Sequence, residues 1–275
     1  MLLRFEAMNG GAKFSEIAEE VILLDIIEDP AEMNVQTSPL AGGPGMLVSS
    51  ATRKSLTVRL VYVIREMDPV RRAELRDKVA RWAYQASQLE ISTRPGKQLS
   101  AKAYIPTAQG SALRWTDELT ITFTAYQLPY WVDSQVTGEI HSTDEFGLIG
   151  AVAITPNGAD VAIPVSCVVA PSEPGTLTDF EIGVGNTKIV LSGLEVINGM
   201  VEVDGFNEYR EDSLYIESAT GHDMRIRDNN GKSYLHTRTP SSNDTLMAVQ
   251  GIRNVIYAKA NIKCDVYFYW SGWWL

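Results

Sequence analysis

Ser55-Leu-Thr-Val-Arg-Leu-Val-Tyr-Val-Ile-Arg65, followed after Glu66-Met67 by Asp68-Pro69, decides how the chain is read. Leu56, Val58, Leu60, Tyr62 and Ile64 fall on one face at period two, which predicts a strand with one buried side. Asp68 is placed to accept a backbone N–H as an N-cap, and Pro69 suits the first helical position, so a helix is expected from there to about Gln85. Leu75, Val79, Trp82 and Ala86 recur at helical spacing as an apolar stripe, while Glu74/Lys78 and Asp77/Arg81 are spaced to pair on the solvent side. One helix packed on a small antiparallel sheet buries all of these faces.

Working outward, Leu89 and Ile91 begin a strand that turns at Arg94-Pro95-Gly96. Leu99, Ala101, Ala103 and Ile105 then alternate with polar residues as one strand stopped by Pro106. Leu119, Ile121, Phe123 and Ala125 alternate with Thr120, Thr122 and Thr124, the pattern of a half-buried antiparallel strand, and Leu128-Pro-Tyr-Trp131 follows. Upstream, Phe5 and Met8 mark a short first strand, Asn9-Gly10-Gly11 a turn, and Val21 to Ile27 a buried strand. Ser38-Pro-Leu-Ala-Gly-Gly-Pro-Gly45 cannot hold a regular ladder and reads as a loop tip, either a mobile surface loop or an arm ordered by a neighbour.

Beyond about residue 135 helical patterns vanish, and short β runs follow at roughly 8 to 12 residue spacing, as in a sandwich. Asn198-Gly199 and Asn230-Gly231 carry the preferred pair for a type I′ hairpin turn, the second between Met224–Asp228 and Lys232–His236. The expected architecture is mainly β with one principal helix (α+β). An N-terminal domain over 1–135 would be a small β-sheet or split barrel with a packed helix, and 136–275 an antiparallel β-sandwich.

Composition narrows function by exclusion. The chain of 275 residues is 45% hydrophobic and 21% charged, which describes a soluble globular protein. No run reaches the about 18 apolar residues of a membrane span, and the N-terminus lacks a basic region followed by an apolar one, so synthesis and assembly in the cytosol are expected. Residues 1–135 carry 15 Lys/Arg against 16 Asp/Glu, and 136–275 carry 9 against 18, so the second half is too acidic to grip phosphates. Cys167 and Cys264 lie in strand-like runs and read as buried free thiols.

Motifs for phosphate cradling, dinucleotide binding, His-Glu-x-x-His metal binding and the nucleophile elbow are absent. No cofactor and no metal site is expected. Glu139, His141, Asp144 and Glu145 are densest in titratable groups and read as a solvated linker; His222 and His236 face each other across the second hairpin as its polar side. Asp223 and Asp228-Asn-Asn-Gly231 lack calcium-loop spacing. Six tryptophans raise a second reading, a carbohydrate-binding sandwich on a scaffold domain, because aromatic rings present flat apolar faces. A glycoside hydrolase is the third, since its two carboxylates need no fixed spacing in sequence.

The order of features carries a resemblance. Thr52 to Ile64, a helix ending near Trp82, Tyr104, Leu119-Thr-Ile-Thr-Phe-Thr-Ala125 and Leu128-Pro-Tyr-Trp131 resemble the N-terminal domain of the distal tail proteins of long-tailed phages. In that family the closing strand is typically followed by a Pro-aromatic pair. Ala162-Ile-Pro-Val-Ser166, Asn186 to Leu191, Gly199 to Asp204, Gly251 to Ile256, Val266 to Trp270 and Trp273-Trp274 follow the order of the family's galectin-like domain. Val249-Gln-Gly-Ile-Arg-Asn254 departs from the family's Pro-Gly before that Asn, which bears on the local turn.

The resemblance implies a non-catalytic component of a virion tail, made in the host cytoplasm. It implies a homohexameric ring built by the N-terminal domain, set between the tail tube protein and a tail-tip, tape-measure-associated protein. The sandwich would point outward to receptor-binding or baseplate proteins, with no sequence-specific nucleic acid and no membrane insertion. The ring contacts are expected at Gly42, Gly43, Pro44, Gly45 and Met46 of the arm and at the aromatic exit Tyr130 and Trp131.

Overall fold

The computed structural model describes residues 5–29, 31–39, 46–106, 118–158, 161–203, 206–210, 213–218 and 224–275. The chain divides into two compact units, Met1–Ser134 with Trp274–Leu275, and Gln135–Trp273.

In the first unit the strand Leu56–Ile64 and the helix Pro69–Tyr84 form as the pattern predicts. Asp68 caps the helix by accepting from Val70 N at 3.0 Å, and Pro69 opens it where no N–H is needed. The buried face is Arg72, Leu75, Val79, Trp82 and Ala83. On the solvent side the helix forms Arg71–Glu74 at 3.5 Å, the expected stabilisation with a different partner for Glu74. The stripe packs on Leu56, Val58, Leu60, Tyr62 and Ile64 and on Ile121, Phe123 and Ala125. Phe14 wedges edge-on between Tyr62 at 5.7 Å and Trp82 at 5.0 Å.

Two sheets surround this core. Among the described residues one is four-stranded, ordered Val21–Asp29, Leu56–Ile64, Leu119–Ala125, Lys102–Tyr104. The other runs Ala12–Lys13, Ala7–Asn9, Gln88–Ile91, Lys97–Ser100, Trp131–Asp133 and ends with Trp274. The single strand expected over Leu99 to Ile105 is therefore two. Leu99 pairs with Leu89 in one sheet and Ala103 with Phe123 in the other, because buried Ala101 leaves the ladder and sends its N–H to Ser87 O at 3.0 Å. Val21–Asp29 also differs from expectation. As an edge strand it fully buries only Val21 and leaves Leu24 36% exposed, where the register shifts between Leu23 and Asp25.

Among the described residues the second unit is an antiparallel sandwich of two five-stranded sheets, with a small two-stranded pair, Ala162–Pro164 and Met247–Val249, beside them. One is ordered Thr137–Ser142, Cys264–Trp270, Ser166–Pro171, Leu214–Glu217, Arg225–Asp228. The other is ordered Leu148–Ile154, Asn254–Ala260, Gly175–Val184, Thr187–Val203, Phe206–Arg210. Alternate residues of both meet inside: Cys167, Val169, Val266 and Phe268 from one, Phe180, Ile182, Ile189 and Ile256 from the other. Both cysteines are buried and unbridged, as expected.

Two hairpin expectations are corrected. Thr187–Val203 runs straight through Asn198-Gly199, where Asn198 pairs with Gly175 on one side and Gly199 with Arg210 on the other. The Asn-Gly pair thus marks a change of ladder partner, with both of its strands satisfied, and no turn is required. Asn230-Gly231 does turn, with Asp228 accepting from Asn230 N and Lys232 N at 2.9 Å each. The return run, however, makes only the bridge Arg227–Ser233 before Leu235–Thr237 tightens into a 3-10 turn.

Candidate assembly interface

Met33–Pro39 and Met46–Arg53 form an antiparallel ribbon apart from both sheets of the first unit. Met33 pairs with Arg53 at its base and Pro39 with Met46 at its far end. Every residue of the first strand is exposed, and Met33, Val35, Met46, Leu47 and Val48 are each about half exposed or more, 47–58%. A two-stranded ribbon alone is marginal in water, and one whose apolar residues face solvent is stable only when something covers it. At the base, Lys54 N donates to Glu32 O at 2.8 Å and Lys54 Nζ meets Glu32 Oε2 at 2.7 Å, which holds the Glu32 carboxyl below its ordinary range. Arg53 lies over the Tyr130 ring at 5.4 Å.

The four-stranded sheet offers a second contact surface. Its edges are Val21–Asp29, nine residues long, and the short Lys102–Tyr104, whose Tyr104 is 61% exposed. A nine-residue edge with Leu24 exposed and Ile22 and Ile27 partly exposed invites a further strand, tempered here by Asp25 at a register shift.

Of the residues expected at the ring contact, Gly42, Gly43, Pro44 and Gly45 lie outside the described residues. Met46 stands exposed at the ribbon's far end, and Tyr130 lies against Arg53 at its base. Trp131 is buried within its own unit, with Arg94 over its ring at 5.5 Å and its indole N–H unpartnered. The structure thus joins Tyr130 to the ribbon and keeps Trp131 in the core. Met33, Val35, Leu47 and Val48 join Met46 as exposed apolar residues of the ribbon; their signal in the sequence is two short apolar runs, Met33-Asn-Val35 and Met46-Leu-Val48, flanking the Gly/Pro tract.

The titratable clusters have structural roles. His141 sits 3.4 Å from Glu139 and edge-on to Phe268. Asp144 closes a turn, accepting from Phe146 N at 2.9 Å and Leu148 N at 3.0 Å. His236 stacks on Tyr234, while His222 and Asp223 lie outside the described residues. Among the described residues no three His, Cys, Asp or Glu converge as metal ligands, and no helix is long and apolar enough to cross a membrane.

No protein-family model and no curated protein matches the chain. Among solved structures, the Dit protein of phage SPP1, described as a paradigm of the hub adsorption apparatus in phages infecting Gram-positive bacteria, matches with a TM-score of 0.64. The two are 10% identical, with 97% of this chain and 98% of that chain covered. Two structures of the phage P2 baseplate in its activated conformation, with Ca and with Sr, are 8% and 9% identical at TM-scores of 0.49 and 0.48, each over at least 97% of both chains. Over nearly its whole length, the chain has the fold of the SPP1 Dit protein.

Proposed function

We propose that this protein is a structural hub of a phage or prophage tail. The observation that carries the proposal is the near full-length likeness to the SPP1 Dit protein. The exposed ribbon Met33–Pro39/Met46–Arg53 supports it independently, because that element needs a partner surface. In this reading the first unit closes a homohexameric ring, each copy offering its ribbon and the edge Val21–Asp29 to the next in a repeated head-to-tail contact. The ring joins the tail tube protein to a tail-tip, tape-measure-associated protein, and the second unit, a galectin-like sandwich, faces receptor-binding or baseplate proteins. The acidic second half suits a ring through which nucleic acid passes without being held.

The test is the mass of the purified chain, alone and with its tube protein, by light scattering and negative-stain imaging. Six copies of 30.3 kDa in a ring are expected. A monomer that binds neither itself nor a tube or tip protein overturns the proposal.

A further inference from the structure

The outward face of the sandwich sheet containing Gly175–Val184 carries a groove of about 370 Å3. Strand register lays out its floor. Lys259 stands opposite Glu181, which stands opposite Val190, and in the next row Asp179 faces Ser192. Thr239 forms one wall, fastened by its N–H to Val190 O at 2.9 Å.

At the other end of this floor Tyr257 stands opposite Gly183. A Cβ on Gly183 would overlap ring atoms Cε1, Cζ and Cδ1 of Tyr257, so the ring lies across the glycine. Its hydroxyl donates to Glu181 Oε1 at 2.9 Å, which fixes the ring's orientation. Tyr257 is partly exposed and borders the groove through its bond to Glu181, which lines it.

The polar groups are equally fixed. Asp179 accepts from Ser192 Oγ at 2.6 Å and Thr178 Oγ1 at 2.9 Å, and these bonds hold its carboxyl ionised by lowering its pKa. A carboxylate has about four acceptor positions, so Asp179 and Glu181 both retain capacity for further donors. Lys259 lines the same groove, and among the described residues its ammonium makes no ion pair or hydrogen bond, leaving those donors open.

From this arrangement we infer that the groove binds a neutral saccharide. An aromatic face covers the C–H side of a pyranose, the two carboxylates accept from neighbouring hydroxyls, and Lys259 donates to a ring or hydroxyl oxygen. Two carboxylates against one ammonium disfavour an anionic sugar. The inference rests on the sandwich alone and holds whether or not the chain closes a ring.

Saturation-transfer NMR of the full chain with maltose, lactose and chitobiose, and with glucuronic acid as an anionic control, tests it. At least one neutral sugar is expected to bind in the millimolar range, with glucuronic acid weaker. Tyr257→Ala and Lys259→Ala should each weaken that binding about tenfold or more, with Tyr257→Phe keeping most of it. Lys259 is exposed, so Lys259→Ala reports on the groove even where Tyr257→Ala disturbs the sheet. Absence of binding by all three neutral sugars, or binding unchanged in both alanine variants, overturns the inference.

Discussion

Asn9 and Trp82 are joined by a hydrogen bond across 73 residues: the Asn9 amide donates to Trp82 O at 2.8 Å and also to Ala83 O at 3.0 Å. These are last-turn carbonyls of the helix, which have no partner within it. Gln85 Nε2 returns the contact to Asn9 O at 3.0 Å, and Trp82 Nε1 donates to Ala12 O at 2.8 Å. The first short strand is thereby a C-terminal cap for a helix far along the chain. Asn9→Ala is expected to destabilise the first unit by about 1 to 3 kcal/mol, measured by urea titration.

Leu75 is fully buried in the middle of the helix stripe. Leu75→Ala should cost about 2 to 5 kcal/mol in the same titration, through lost transfer energy and the cavity left behind. Assembly of the proposed ring should fall with it, because the first unit itself is weakened.

The ribbon separates folding from assembly. Met33→Asp and Val48→Asp change side chains that are about half exposed, so unfolding should shift by no more than about 0.5 kcal/mol. Light scattering should nevertheless lose the proposed hexamer. Retention of that species in the double variant would place the contact elsewhere.

The buried thiols give a pH signature. Burial pushes the Cys167 thiol far above its ordinary value and Cys264 to about 12, with Asp265 and Glu173 adding to the latter. Tyr62 rises to about 12 for the same reason. A raised folded pKa means the folded state keeps its proton after the unfolded chain has lost it. Stability is then full below the unfolded values, about 8.5 for thiol and 10 for phenol, and declines as pH rises toward the folded ones. The urea midpoint should fall steadily from about pH 8.5 upward, and a thiol reagent at neutral pH should modify neither cysteine until the protein unfolds.

The helix, its cap and the strand before it were legible because each rests on local spacing: Asp68-Pro69, the stripe through Trp82, the alternation through Ile64. The sandwich was legible for the same reason. What sequence did not disclose depends on distant partners. Ala101 alternates perfectly with its neighbours, yet the sheet changes there because Ser87 claims its N–H. Asn198-Gly199 has ideal turn chemistry, but strands on both sides hold it extended. Trp131 read as an exit to a neighbour because aromatic residues serve interfaces and cores alike, and only the packing assigns it to the core. The groove was invisible for the simplest reason: Asp179, Glu181, Lys259 and Tyr257 come from two strands that meet only in the sheet.

Because the backbone leaves the first unit at Ser134 and re-enters it at Trp274, the sandwich is a cassette spliced into a host fold. The re-entry point is a socket: Trp274 donates its indole N–H to Asp133 at 2.7 Å, and Lys97 sits 3.1 Å from the centre of its ring. A protease nick at the first crossing leaves the sandwich covalently attached only to Trp274 and Leu275 of its host, whereas a nick at the second leaves it joined to everything before Gln135. A cassette of different size or specificity inserts without rebuilding the host, provided that both crossings and the residue that fills the socket are kept.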